Sequence, residues 1–170
     1  MPTKRRVEKV KPIEELSAPA ARALRQFRII FNAIRSHFRA VERMSGMAGA
    51  QVWALHVIQQ RPGITVGQLS RALDIHQSTA SNLLRPLLEQ GFAVSERAQA
   101  DKRIAYLQVT AAGAKVLKKA PGHFAGVLPE ALMELDSATL NRLNRDLGRL
   151  VVLLGANEEK GNVPLGTRDS

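Results

Sequence analysis

From Gln77 to Glu89, helical periodicity separates two kinds of side chain. Ser78, Ser81, Asn82 and Arg85 fall on one face, with Gln77 and Thr79 in the first turn, and no acidic residue appears before Glu89. Short hydroxyls and amides allow close approach to another surface, and an Arg suits a guanine edge or a phosphate. A helix entering the major groove of duplex DNA needs this composition, whereas an ordinary solvated face would carry Glu and Lys. The opposite face, Ala80, Leu83, Leu84, Leu87 and Leu88, follows i, i+3, i+4, i+7, i+8 and predicts a buried stripe. Gln77, Ser78, Thr79, Ser81, Asn82 and Arg85 are therefore candidate DNA-binding residues. Pro86 removes one helical amide and predicts a kink, and His76 stands at the N-cap, where Ser, Asp or Asn would serve better.

A second constellation is Asp101-Lys102-Arg103, at the end of a tip that spans 98–103 between two expected strands. An Arg on a projecting loop suits the narrow, electronegative minor groove, and Asp101 is expected to aim Arg103 through a charge-assisted bond. Asp101, Lys102 and Arg103 complete the DNA-binding set.

Other chemistries find little support. With no cysteine, disulfides, thiolate metal sites and thiol nucleophiles are excluded. The four histidines, His37, His56, His76 and His123, include no i, i+4 pair and no local carboxylate grouping, so no metal site is expected. No nucleophile elbow or phosphate loop is present, so the chain is expected to be neither an enzyme nor a cofactor carrier.

The elements that must position these residues make the chain mostly α with a small β-hairpin wing. Residues 1–16 form an expected flexible basic arm, in which Lys4, Arg5, Arg6, Lys9 and Lys11 could add phosphate contacts. Residues 17–45 form an expected N-terminal dimerisation helix, capped by Ser17, with Leu24, Phe27, Phe31, Ile34, Phe38 and Val41 in alternating steps of three and four. Residues 48–113 hold the expected winged helix-turn-helix. It contains a helix over 48–60 with Val52, Trp53, Leu55 and Ile58 inward, and a Thr65/Gln68 capping box opening a short helix that buries Leu69, Ala72 and Leu73. Asp74 sits at a turn that favours a left-handed residue, and strands are expected over 92–97 and 104–110.

Residues 114–154 are expected to supply C-terminal dimerisation helices. The first continues to Lys119 under a Thr110 cap, Pro121-Gly122 and Pro129 bend the chain back, and Asp136 or Ser137 caps a seam of Leu140, Leu143, Leu147, Leu150 and Leu154. Residues 155–170 are expected to be a flexible tail. Two heptad seams flanking so small a middle exceed what it can bury, which predicts a homodimer.

The stretch DKRIAYLQVTAAG, with ITVGQLSRALDIHQSTASNLLRPLLEQGF upstream, resembles the multiple-antibiotic-resistance regulator (MarR) family of bacterial transcription factors. The resemblance runs roughly from Leu24 to Leu154. It implies a triangular homodimer whose reading helices enter successive major grooves of a pseudo-palindromic operator, with wings in the flanking minor grooves. It also implies a repressor released by a small, often aromatic effector bound between the dimer helices and the reading domain. Phe31, Phe38, Trp53 and His56 are the candidate effector-pocket residues. The alternatives are an effector-independent architectural or counter-silencing DNA binder and a winged-helix protein-interaction adaptor.

Charge alone does not carry the DNA reading. The formal net charge is +10, yet Lys and Arg outnumber Asp and Glu by 11 to 4 over residues 1–43, by 6 to 4 over 44–109 and by 8 to 7 over 110–170. Most of the excess lies outside the reading module, toward the N-terminus. The basic N-terminus has no apolar segment behind it, and no run of about 18 apolar residues occurs, so a cytoplasmic protein with no membrane partner is expected.

Overall fold

The computed structural model describes residues 16–97, 105–120, 122–165 and 167. The expected basic arm, apart from Leu16, and the wing-tip residues Asp101, Lys102 and Arg103 lie outside the described residues.

The chain opens with α1 (Ala18–Ser45), closed by Gly46 in the left-handed conformation. Ser17 occupies its N-cap position, but its side chain makes no capping hydrogen bond, contrary to expectation; Pro19 in the first turn sets the helical φ instead. Next come α2 (Gly49–Gln60), β1 (Ile64–Thr65), α3 (Val66–Ala72) and α4 (Gln77–Glu89). β2 (Ala93–Arg97), β3 (Ala105–Val109), α5 (Ala111–Lys119), α6 (Val127–Met133) and α7 (Ser137–Leu154) complete the order. A 3-10 turn follows over Glu158–Asn162.

One core holds the middle of the chain together. Val52, Ala54, Leu55 and Ile58 of α2 meet Leu69 of α3, Leu83, Leu84 and Leu87 of α4, Leu107 of β3 and Leu117 of α5. Each fully buried Leu or Ile contributes about 1.5–3 kcal/mol relative to exposure. Leu55, Ile58, Leu69, Leu87 and Leu107 are the largest fully buried side chains. Ala72, expected inside, is half-buried at the edge of α3, and Leu88 is likewise half-buried.

The hairpin forms, with Ala93 opposite Val109, Ser95 opposite Leu107 and Arg97 opposite Ala105. A third strand joins it: β1 pairs antiparallel with β3, Ile64 opposite Leu107, giving the order β1-β3-β2. Two residues are too short to show alternation, which is why β1 has no sequence signature.

The C-terminal third departs most from expectation. Pro129 lies in the first turn of α6, a helix of seven residues that the sequence pattern did not mark and that packs back on α1. Residues after Gly155 are not a frayed end throughout, since the 3-10 turn leads to Asn162 and Pro164, both half-buried.

Candidate nucleic-acid interface

Local interactions set the frame of the presumed reading helix. Thr65 and Gln68 form the reciprocal box: the Gln68 amide donates to Thr65 Oγ1 at 3.3 Å, and the Thr65 amide donates to Gln68 Oε1 at 2.9 Å. α3 ends after seven residues, and Asp74 turns the chain with a φ of 52°, a conformation that Asp accepts more readily than bulkier residues. α4 then starts at Gln77, with the amide of Ala80 donating to the carbonyl of His76 at 3.0 Å. The His76 side chain makes no capping bond to the helix.

The two faces of α4 divide as the spacing predicts. Ala80, Leu83, Leu84 and Leu87 are buried, while Gln77, Ser78, Ser81, Asn82 and Arg85 are exposed and Thr79 is half-buried. Ser81 turns its hydroxyl back to the Gln77 carbonyl at 2.9 Å, satisfying its donor locally. Arg85 Nη2 donates to Asn82 Oδ1 at 2.9 Å, so the forked guanidinium and the amide are held side by side on the outer face. With no carboxylate until Glu89, this surface offers donors and hydroxyls to an acceptor-rich partner. Helix α4 continues through Pro86 to Glu89.

The root of the wing is anchored by Thr110 and Gly113. Thr110 Oγ1 donates to the Gly91 carbonyl at 2.7 Å and accepts from the Gly113 amide at 3.1 Å, so one hydroxyl ties the end of the α4 segment to the start of α5. A Cβ at Gly113 would collide with the Phe92 carbonyl and lie 2.9 Å from Val109 Cγ1. The Thr and Gly of the motif VTAAG thus have a steric and capping reason.

The terminal helices leave apolar surface uncovered. α7 contains no buried residue along its 18 positions, and Phe31, Val152, Leu153 and Leu154 are 58%, 75%, 84% and 70% exposed. Leu24, Phe27, Leu140, Leu143 and Leu150 are half-buried, and Leu147 is 36% exposed. Asp136 caps α7 by accepting from the Thr139 amide at 2.9 Å, and the Thr139 hydroxyl and amide together hold its carboxyl below the ordinary value.

The four candidate pocket residues are not gathered in one cavity. Phe31 borders an apolar cavity of about 370 Å³ with Phe27, Leu128, Leu132, Leu143, Leu147 and Leu165, between α1, α6 and α7. Phe38 borders a different one and packs against Gly49. Trp53 packs on the core, and His56 stacks on Phe124 with ring centroids 4.0 Å apart. The expectation had joined residues of two helices by type; tertiary packing sends them to different neighbours. Burial lowers the pKa of both His37 and His56, and the facing ring of His123 adds to the effect on His37. His37 Nε2 and His56 Nδ1 are buried without a hydrogen-bond partner among the described residues. His123 in turn pairs through Nδ1 with the Glu130 carboxylate.

Sequence reasoning missed one neighbour of α4. Asn162 contacts His76, and Val163 and Thr167 border a cavity with Thr79 and Asn82. The alternation of Val163 and Leu165 around Pro164 was the one signal that this segment packs.

Residues 45–104 match the model of the MarR family. A transcriptional regulatory protein assigned to the hcr operon of Thauera aromatica is 26% identical over 123 residues, spanning 72% of this chain and 69% of its own. Among solved structures, a MepR-like protein complexed with pseudoligands matches with a TM-score of 0.55 at 12% identity, covering 83% of this chain and all of its own. The S. aureus MepR-DNA complex matches with a TM-score of 0.53 at 20% identity, covering 78% of this chain and 97% of its own. At these identities the structural matches establish a shared fold.

Proposed function

We propose that this chain, whose residues 45–104 match the model of the MarR family, is a transcription regulator that binds a pseudo-palindromic duplex as a homodimer. The observation that carries the reading is the division of α4. Its apolar stripe is buried in the core, and its exposed face presents Gln77, Ser78, Ser81, Asn82 and Arg85 without a carboxylate until Glu89. Thr79, half-buried, completes the set. That face has the width and donor chemistry for base edges in a major groove. Asp101, Lys102 and Arg103 are assigned to the flanking minor groove on the chemistry of a basic wing tip.

Dimerisation is supported by the apolar residues of α1 and α7. A Leu or Phe left in water forgoes about 1.5–3 kcal/mol, and a second copy related by two-fold symmetry would cover several of them at once. Residues 17–45 and 114–154 would then be the dimerisation helices and 48–113 the reading domain. The cavity beside Phe27 and Phe31, about 370 Å³ and almost wholly apolar, is of a size for a small aromatic effector. Repression relieved by such an effector is the regulatory sense that fits. The S. aureus MepR bound to DNA supports the general reading through its shared fold.

Selection of bound duplexes from a random pool tests the proposal directly. The expected outcome is an inverted repeat with half-sites separated by about one helical turn, 10–10.5 base pairs. Enrichment of no sequence would reject sequence-specific binding. A panel of aromatic acids, scored for thermal stabilisation and for release of the selected duplex, tests the effector.

A further inference from the structure

The segment after α7 packs against the reading helix. Gly155 ends α7 with a φ of 57°, and the 3-10 turn at Glu158–Asn162 brings the chain to the N-terminal end of α4. There Asn162 Nδ2 donates to His76 Nε2 at 3.1 Å. Val163 and Thr167 border one cavity of about 380 Å³ together with Thr79 and Asn82, whereas Leu165 between them borders the apolar cavity of α1 and α7. Thr167 also borders a cavity with Arg35 and Phe38 of α1, so the segment lies between the reading helix and the terminal helices.

We propose that residues 155–165, with Thr167, form a strap along the Thr79–Asn82 edge of the exposed face of α4 that must leave before a duplex enters; this rests on the assignment of that face to DNA. The reason is steric. A major groove about 12 Å wide and 8.5 Å deep accepts one α-helix, itself about 10–12 Å across with its side chains. A peptide lying beside Thr79 and Asn82 and a groove enclosing the same residues therefore exclude each other. The strap is packed loosely, which suits a switch: Asn162 bonds His76, and Val163 and Leu165 remain 48% and 50% exposed. Its second attachment, at Leu165, lies in the cavity lined by Phe27 and Phe31, so occupation of that cavity and the position of the strap are linked.

The test uses the full chain. In an Asn162→Ala/Val163→Ser variant, affinity for a selected duplex is expected to rise about tenfold, because apparent affinity is scaled by the fraction of molecules with an open reading face. The sequence has no cysteine, so a nitroxide on Thr167→Cys labels one site. It should broaden the amide signals of Thr79 and Asn82 in the DNA-free protein and release them when duplex is added. Unchanged affinity in the double variant, or sharp signals for both residues without DNA, would overturn the strap. Failure of wild type and variant to bind any duplex, with the broadening present, overturns the DNA reading and the inhibitory role together; binding with unchanged affinity overturns only the strap.

Discussion

Arg85 donates through Nη2 to Asn82 Oδ1, one turn earlier on the exposed face of α4, at 2.9 Å. The bond occupies one lone pair of the Asn82 Oδ1 and leaves the Asn82 NH₂ and the remaining guanidinium donors for a partner. Asn82→Ala and Arg85→Ala are each expected to change preference among duplex sequences by about 1–3 kcal/mol per lost base contact. Because the two side chains are in contact, the double variant should lose less than the two single losses combined. Competition binding against selected and random duplexes checks this; equal losses on both kinds of duplex would remove Asn82 and Arg85 from readout.

Gly113 should be the least tolerant position at the root of the wing. A Cβ there collides with the Phe92 carbonyl, which is backbone and cannot rotate away, and also crowds Val109 Cγ1. Gly113→Ala is expected to destabilise the fold by about 1–3 kcal/mol, as overpacking does elsewhere. Denaturant titration followed by circular dichroism measures it.

Acid should weaken the junction between α1, α2 and the α5–α6 segment. Burial lowers the folded-state pKa of His37 and His56 below the ordinary 6.5, so between the two values the unfolded chain binds more protons than the folded one. Stability is then fully present above pH 6.5 and falls as the pH drops below it. His37→Gln and His56→Gln should each flatten the dependence of melting temperature on pH in that acid range. An unchanged slope in both variants would show that these imidazoles do not set it.

Leu154 is 70% exposed at the end of the α7 seam, so a substitution there should spare the protomer fold. Leu154→Asp is expected to leave the helical circular dichroism intact and to weaken self-association by about 2 kcal/mol or more, through lost apolar burial and a charge placed in an apolar contact. Sedimentation equilibrium reads the change as a shift toward protomer mass. An unaltered association would place the interface elsewhere.

Much of this architecture was legible because it is decided within a few residues. The Thr65/Gln68 box and the Thr110 cap depend on side chains reaching backbone atoms three positions away, and the left-handed turn at Asp74 on the sterics of one residue, so type and spacing announce them. The division of α4 into a buried and an exposed face is of the same kind, since helical geometry converts sequence spacing directly into direction.

What only the tertiary structure decided involves partners far apart in the chain. β1 exists because Ile64 and Thr65 meet Leu107 and Tyr106, a pairing without local pattern. Phe31, Phe38, Trp53 and His56 share a chemical type but face different neighbours, because helix packing angles set which cavity each borders. The placement of Asn162 beside His76 spans 86 positions and joins a polar tail to a reading helix. The sequence by itself determined a helix with one buried apolar face and one exposed polar face; the way the chain returns on itself decided which segment lies beside that helix, because such contacts depend on long-range closure and not on local propensity.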